Sequence, residues 1–240
     1  MTVSIHCNPK VEWQAKRADC FSAGLKALGI DHCVTDSRFR VADAAILFGT
    51  TFWRDIEADG EYLLVDRASF GDPEYVQLVW NGHGKRGDHR VPKDKGDRAA
   101  LIAPETHPWC IGSRVVLCGQ AETYSPHYSS LSEWYGEINA THFRKHPVAD
   151  NPTELPIAKD WSDCHLAITL NSSIGVDAVI NGVSTVTMDE ASMVWDVTSH
   201  DQHFPQYRDR RPWLDWLCWT QWSWDEIRAG KPIRHLFEEL

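Results

Sequence analysis

The chain has 240 residues, of which 42% are hydrophobic and 24% charged, and its formal net charge is −10. This composition is typical of a globular protein with a packed core and argues against wholesale disorder. The net negative charge argues against a dedicated nucleic-acid binder, and the longest apolar runs, 44–48 and 115–118, are too short to span a bilayer.

The N-terminus and the cysteines indicate the cellular compartment in which the protein folds. Residues 1–20 are polar and interrupted by Pro9, so no signal peptide is predicted. The seven cysteines are scattered, odd in number and never spaced as C-x-x-C, which is typical of buried thiols in a reducing environment. We therefore expect a cytoplasmic protein.

The first half of the chain alternates short apolar runs with one helical pattern. Strands are predicted at residues 3–7, 32–35, 44–48 and 62–65, and a helix at 12–28 with its apolar side chains on one face. Gly29 is placed to end that helix. Short, continuously apolar strands in strand–helix–strand order predict a parallel sheet covered by helices.

Charged residues follow the last of these strands. Asp66 lies at the strand end, where a carboxylate could act as a general base or could simply pair with Arg67 or Arg54. Residues 81–108 are rich in Gly, Pro and charge and predict an exposed loop and linker. Within them, residues 83–98 carry six Lys or Arg against three Asp, which could bind an anionic acceptor. The candidate acceptor-binding residues are Asp72, His83, Lys85, Arg86 and Arg90.

A second alternation of strands and helices begins at residue 114. Strands are predicted at 114–118, 140–143, 165–170 and 184–188, and helices at 129–138 and 173–181. The predicted organisation is an N-terminal Rossmann-like lobe at 1–108, a second lobe at 109–210, and C-terminal helices at 211–240 that pack across the lobes. In open α/β sheets ligands bind at the carboxyl ends of the strands, so a cleft between the lobes is the expected site.

Polar groups follow the first two strands of the second lobe. The turn after residue 118 has room for a sugar or phosphate, although glycine-containing turns are common. The run after residue 143 combines two fixed cations with an imidazole, which suits a diphosphate but also fits a solvated basic strand end. The candidate donor-binding residues here are Gly119, Gln120, Arg144, Lys145, His146 and Pro147.

The third strand of this lobe runs into a polar turn and then a helix. Serine hydroxyls and unpaired N–H groups at a helix N-terminus can bind phosphate, although the serines could merely cap the helix. A glycine would permit close backbone approach, and an aspartate could accept from a ribose hydroxyl. The candidates are Asn171, Ser172, Ser173, Gly175 and Asp177.

These motifs together carry a family resemblance. The run R-K-H-P followed by L-N-S-S-I-G-V-D-A-V-I-N-G resembles the His-Pro and Ser-Ser motifs of capsule-polysaccharide Kdo transferases and sialyltransferase-like enzymes of the GT-B fold. The tail W-L-C-W-T-Q-W-S-W-D-E-I-R-A-G resembles the C-terminal helices of capsule-synthesis transferases, so the resemblance covers about residues 114–230. It implies that His146, Pro147, Ser172 and Ser173 hold the phosphate of a nucleotide-sugar.

The resemblance also implies a reaction. Those families place a catalytic acid in a D/E-D-G motif of the first lobe, which corresponds to Asp66 here, although the following glycine is missing. The expected protein is an α/β GT-B glycosyltransferase that takes a UDP- or CMP-sugar, with Asp66 as base and His146 also catalytic. No D-x-D occurs in the chain, and His200-Asp201-Gln202-His203 matches no strong zinc pattern, so we expect no metal or other cofactor.

The acceptor and the alternatives remain open at the level of sequence. A short chain with a basic segment is similar to phage GT-B enzymes that modify hydroxymethylated bases, so duplex DNA bound through residues 83–98, in the cytoplasm of a phage host, is the expected acceptor. A saccharide acceptor is the first alternative. A non-catalytic nucleotide-sugar-binding module and a sugar-nucleotide epimerase or hydrolase are the others.

Overall fold

The computed structural model describes residues 1–8, 10–39, 41–49, 60–71, 73–93, 96–120, 131–136, 138–144, 161–201 and 205–237. The chain divides into two compact units. Unit 1 comprises Met1–Leu101 and Asp215–Leu240, and unit 2 comprises Ile102–Leu214. Each unit has its own β-sheet and its own hydrophobic core.

The sheet of unit 1 has six strands in the order β10-β5-β4-β3-β1-β2. Strands β1 to β4 are mutually parallel, whereas β5 is antiparallel to β4 and β10 is antiparallel to β5. The strands are β1 (Thr2–His6), β2 (Asp31–Thr35), β3 (Ala44–Phe48), β4 (Glu61–Arg67), β5 (Tyr75–Trp80) and β10 (Gln221–Ser223). The parallel core of this sheet was predicted from the sequence, but neither antiparallel strand was.

The sheet of unit 2 has four strands, all parallel, in the order β7-β6-β8-β9. They are β6 (Arg114–Cys118), β7 (His142–Arg144), β8 (Cys164–Thr169) and β9 (Ser184–Thr187). All four lie within a residue or two of their predicted positions. Because every strand runs the same way, the four carboxyl ends share one edge of the sheet.

Seven α-helices lie within the described residues. They are α1 (Glu12–Ala27), α2 (Arg98–Ile102), α3 (Leu131–Gly136), α4 (Ile174–Ile180), α5 (Arg211–Thr220), α6 (Trp224–Arg228) and α7 (Lys231–Phe237). Helix α1 buries Ala18, Phe21 and Leu25 in the core of unit 1. At Gly24 a Cβ atom would lie 2.2 Å from the carbonyl oxygen of Ile227, so the glycine permits the close approach of α1 and α6.

The segment after β5 corrects the sequence analysis. Residues 81–88 form a tight turn rather than an open loop, because the backbone groups of Trp80 and Asp88 exchange two hydrogen bonds of 2.8 Å. Gly82 and Gly87 face each other so closely that a Cβ on Gly82 would lie 2.3 Å from Gly87. His89 is only 5% exposed, and α2 begins at Arg98. The predicted exposed loop thus corresponds to a closed loop in which Asn81, Arg86 and Asp88 are exposed, whereas the burial of His89 and the helix α2 were not predicted.

Arg98 explains why the C-terminal segment belongs to unit 1. Its guanidinium donates to the carbonyl oxygens of Cys218 and Gln221 and to both carboxylate oxygens of Glu226, and its carbon lies 4.1 Å from the ring centroid of Trp222. Glu226 in turn completes the capping box with Ser223 at the start of α6. One buried cation thus joins α2 to three successive elements of the C-terminal segment.

No helix in the described part of the chain combines the length and the apolar character needed to cross a membrane.

Candidate functional site

The carboxyl edge of the unit 2 sheet brings together one polar side chain from each strand. Gln120 lies two residues after β6, Arg144 is the last residue of β7, Asn171 lies two residues after β8, and Asp189 lies two residues after β9. We refer to these four residues as the edge cluster. The N–H of Gly119 donates to the carbonyl oxygen of Arg144 over 2.7 Å, which joins the ends of β6 and β7.

Asn171 is held in one orientation by Asp189. The Asn171 Nδ2 donates to Asp189 Oδ2 over 2.8 Å, and Asp189 Oδ1 accepts from the N–H of Ala191 over 3.0 Å. The Asp189 side chain is 2% exposed, and its own N–H donates to the Leu170 carbonyl. A buried carboxylate that receives several N–H groups is well compensated for its loss of water. Asp189 was absent from the sequence-based candidates because a single acid after a β-strand carries no recognisable pattern.

Gln120 is buried with its carbonyl unsatisfied. It is 8% exposed, and its Oε1 has no hydrogen-bond partner among the described residues. Its backbone N–H donates to the hydroxyl of Tyr135 on α3 over 2.9 Å. The Tyr135 ring packs against Phe143 of β7, with 5.0 Å between their centroids. The strand end that carries Gln120 is therefore fixed from the helix side.

Arg144 supplies the one cation of the edge cluster. Its side chain is 8% exposed, so the charge is largely withdrawn from solvent. Burial strengthens the attraction between a guanidinium and an anion, because the effective dielectric constant is lower than in water. The predicted donor-binding residues Lys145, His146 and Pro147 lie outside the described residues.

The turn into α4 also contains predicted donor-binding residues. Ser172 is half-buried and Ser173 is exposed. Ser173 precedes the helix with helical backbone angles and no side-chain cap, whereas the Ser172 hydroxyl lies 3.5 Å from the N–H of Ile174. Capping by Ser173 is thus not observed, and its hydroxyl lies at the surface.

Gly175 and Asp177 lie further along the same segment. A Cβ on Gly175 would lie 3.0 Å from Val194 Cγ2 and 3.3 Å from Thr169 Cγ2, so the small residue serves the packing of α4 on its own unit. The Asp177 carbonyl accepts from the backbone N–H and the Nδ2 of Asn181, at 2.9 and 2.8 Å. The role of either residue toward a ligand stays a prediction.

In unit 1, the structure pairs two of the predicted residues. Asp66 is the penultimate residue of β4. Its Oδ2 lies 3.6 Å from His83 Nε2, and its Oδ1 accepts from the N–H of Arg67 over 2.7 Å. The two side chains are 32% and 29% exposed, so solvent reaches both. The sequence offered Arg67 or Arg54 as the ionic partner of Asp66 and did not anticipate the histidine. Asp72 and Arg54 lie outside the described residues.

Arg90 of the basic segment is, like Arg98, engaged inside unit 1. Arg90 donates to the carbonyl oxygen of Leu236, lies 4.8 Å above the ring centroid of Trp80, and has its Nε 3.7 Å from an Asp88 oxygen. Its side chain is 13% exposed. Lys85 is half-buried and Arg86 is exposed. Arg90 therefore stabilises unit 1, which its position in a charged run did not indicate.

Three buried cysteines are unsuited to act as nucleophiles. The seven cysteines form no disulfide, and burial raises the pKa of Cys7, of Cys20 and of Cys164, the last to about 11. Thiols in this state are poor nucleophiles. Among the described residues no group of three or more His, Cys, Asp or Glu could hold a metal ion. His200 instead stacks on Trp195, with 3.4 Å between ring centroids.

Comparisons with known proteins identify the fold of the chain but not its family. No protein-family model and no curated protein matches the chain. The chain is similar to the β-Kdo 2,7-transferase of Thermosulfurimonas dismutans KpsC, with a TM-score of 0.52, 11% identity, and coverage of 97% of this chain and 99% of that one. The chain is also similar to the β-Kdo 2,4-transferase of the same protein, with a TM-score of 0.47, 11% identity, and coverage of 92% of this chain and 90% of that one. The chain has the GT-B-like α/β fold. The first similarity spans both units, whereas 11% identity carries no residue roles.

Proposed function

We propose that the protein is a glycosyltransferase that moves a sugar from a nucleotide-sugar to an acceptor hydroxyl. The observation that carries the proposal is the fold similarity to a Kdo transferase over 97% of the chain. The edge cluster supports it independently, because ligands of open α/β sheets bind outside the carboxyl ends of the strands. In unit 2 that edge carries a buried arginine, two amides and a buried aspartate.

The donor would bind at this edge of unit 2. Arg144 is the described residue whose charge suits a phosphate, and the Ser172 and Ser173 hydroxyls can add neutral hydrogen bonds to phosphate oxygens. Lys145 and His146 follow Arg144 directly in the chain and would add further positive charge as the leaving nucleotide develops negative charge. These contacts would favour the transition state over the bound donor, which is the condition for faster chemistry.

Asp66 would act in unit 1 as the general base. A glycosyl acceptor attacks as its hydroxyl loses a proton, and a carboxylate at a strand end can take that proton. The imidazole of His83, 3.6 Å from Asp66, would hold the carboxylate in position. Solvent reaches both side chains, so an acceptor can also reach them.

A saccharide acceptor is favoured over DNA. Of the six cations in residues 83–98, Arg90 and Arg98 make hydrogen bonds and cation–π contacts inside unit 1 and are 13% and 10% exposed. A phosphate-binding surface needs cations that are presented to solvent. The DNA acceptor expected from the charge count therefore loses part of its support, and it is kept as one arm of the test.

The test is a transfer assay over a panel of CMP- and UDP-sugars. Release of CMP or UDP is measured with no acceptor, with Kdo-containing or other oligosaccharides, and with duplex DNA containing hydroxymethylated pyrimidines. Nucleotide release that depends on a saccharide, with a glycosylated product, supports the proposal. Release without any acceptor would indicate a hydrolase, and no release from any donor would contradict the proposal.

A further inference from the structure

Two amide side chains of the edge cluster present the same kind of atom to the edge of the sheet. Residues Leu117 of β6 and Ile168 of β8 are paired in register, and Gln120 and Asn171 each lie three residues further along their strands. Neighbouring strands lie about 4.8 Å apart. The two amides therefore follow adjacent strands at the same height, within reach of a single small molecule.

The orientation of Asn171 follows from its partner. A carboxylate oxygen can only accept a hydrogen bond, so the amide atom that faces Asp189 Oδ2 at 2.8 Å must be the nitrogen. The Asn171 carbonyl Oδ1 is then the atom left to meet a ligand. Asp189 is fixed in turn by the N–H of Ala191 and is 2% exposed, so the pair cannot easily reverse.

Gln120 provides the second, independent observation. Its side chain is more than nine-tenths buried, and its Oε1 lacks a hydrogen-bond donor among the described residues. A buried carbonyl without a donor costs free energy, and such groups in native proteins are usually completed by water or a ligand. The hydroxyl of Tyr135 accepts from the backbone N–H of Gln120 and so holds the backbone from which this side chain extends.

We propose that Asn171 Oδ1 and Gln120 Oε1 accept hydrogen bonds from hydroxyl or amino groups of the ligand, and that Asp189 positions Asn171 for this role. The inference rests on the proposed donor site and narrows it. Phosphate oxygens are acceptors and gain nothing from a carbonyl, so these two residues select the nucleoside or sugar portion of the donor. The phosphate is then bound by Arg144 and the serine hydroxyls, whereas Asn171 and Gln120 do not bind phosphate.

Binding to neutral and anionic probes separates these roles. Titration calorimetry of the full chain would use cytidine and uridine as nucleosides, Kdo and glucose as sugars, and pyrophosphate as the anion. The variants are Asn171→Leu and Gln120→Met, which keep the side-chain size but remove the acceptor. Each should weaken binding of the responding nucleoside or sugar by about 3- to 10-fold, the range of one hydrogen bond, and leave pyrophosphate binding within 2-fold. The nucleoside and sugar arms identify which portion supplies the donors.

Asp189→Asn tests the positioning role. An amide at residue 189 can donate to Asn171, which lets the Asn171 amide turn its carbonyl inward and its nitrogen outward. We expect weaker binding of the nucleoside or sugar together with stronger binding of pyrophosphate. A merely structural role would weaken both probes equally. Asn181→Leu is the matched control, because Asn181 donates to the Asp177 carbonyl in the same unit but away from the edge cluster, and it should change neither affinity.

The outcomes also separate this inference from the proposed function. Loss of pyrophosphate binding in Asn171→Leu or Gln120→Met, or no change with any probe, would overturn the inference even if the protein transfers sugar. Selective loss of nucleoside binding in a protein that transfers no sugar would support the inference and contradict the proposed function. If wild-type protein binds none of the nucleosides and sugars, the inference is wrong.

Discussion

The edge cluster of unit 2 and the basic segment 83–98 of unit 1 differ in how the fold uses polar side chains. In the edge cluster, Asn171 and Gln120 are anchored on one side and keep a carbonyl that no described residue satisfies. In the basic segment, Arg90 and Arg98 direct their guanidinium groups to backbone carbonyls and a carboxylate of unit 1. Charge counted along a sequence is thus a poor measure of charge presented to a ligand.

The largest expected effect is on catalysis at Asp66. Asp66→Asn should lower turnover by about 10²- to 10⁴-fold, the usual contribution of a general base, with donor affinity changed by less than 2-fold. Steady-state kinetics with the responding donor and acceptor measure turnover, and calorimetry measures donor affinity. The control is Asp88→Asn, an exposed acid of the same unit that pairs with Arg90. Near-normal turnover in Asp66→Asn would move the role of base to Asp72 or Glu74.

The next largest effect is on stability at Arg98, and it tests whether this cation has a structural role or binds a ligand. Arg98→Ala should lower the free energy of unfolding by about 2–3 kcal/mol, because it removes the ionic partner of the half-buried Glu226 carboxylate and frees two carbonyl groups, while Ser223 still donates to Glu226. Chemical denaturation measures the change. Arg98→Lys keeps the charge but loses the multiple hydrogen bonds and should also be destabilised.

Lys93→Ala, at an exposed position of the same basic segment, is the control for Arg98 and should change stability by no more than about 0.5 kcal/mol. Full stability of Arg98→Ala together with weaker binding of an anionic acceptor would reverse the distinction between the two regions.

The contrast also shows what the sequence could determine. Strands β6 and β8 of unit 2 were located because each is a short apolar run followed by a turn, and parallel packing then brings Gln120, Arg144 and Asn171 to one edge. Strand β5 was missed because Gln77 interrupts its apolar run, and the glutamine is buried by pairing with Ser69. β10 has only three residues, and its partner β5 is far away in the chain.

Individual contacts were less predictable than strands. The pairing of Asp189 with Asn171 joins residues 18 positions apart through a buried hydrogen bond, and the pairing of Asp66 with His83 depends on the turn after β5. Arg90 was misjudged because its partner is the carbonyl of Leu236, near the other end of the chain. Side-chain contacts of this kind depend on tertiary structure, and no local pattern encodes them.

A smaller effect concerns His89, which the sequence placed in the basic loop. Burial lowers the pKa of His89, although its nitrogens face the carbonyl oxygens of Leu78 and Gly84. In the unfolded chain the imidazole protonates near its ordinary pKa of about 6.5. Below pH 6.5 the unfolded state therefore binds more protons than the folded state. The contribution of His89 to the free energy of unfolding should be fully present above pH 6.5 and should be lost as the pH falls through the lower pKa of the folded state.

His89→Gln should flatten this decrease in stability between pH 7 and pH 5, as measured by denaturation at each pH. An unchanged slope in His89→Gln would show that another group carries the pH dependence.

The smallest expected effect is on DNA. If residues 83–98 formed a phosphate-binding surface, replacing Lys85, Arg86 and Lys93 with alanine would lower the slope of log affinity against log salt by about one for each lost contact. We expect weak binding of the wild-type protein to duplex DNA and a slope change well below three, because the net charge of −10 opposes DNA and the segment has directed Arg90 and Arg98 inward. The three positions are half-buried or exposed, so the variant should fold, which circular dichroism would check. A loss of three units of slope, together with sugar transfer to hydroxymethylated DNA, would restore DNA as the acceptor and would mean that these three cations suffice without the two arginines.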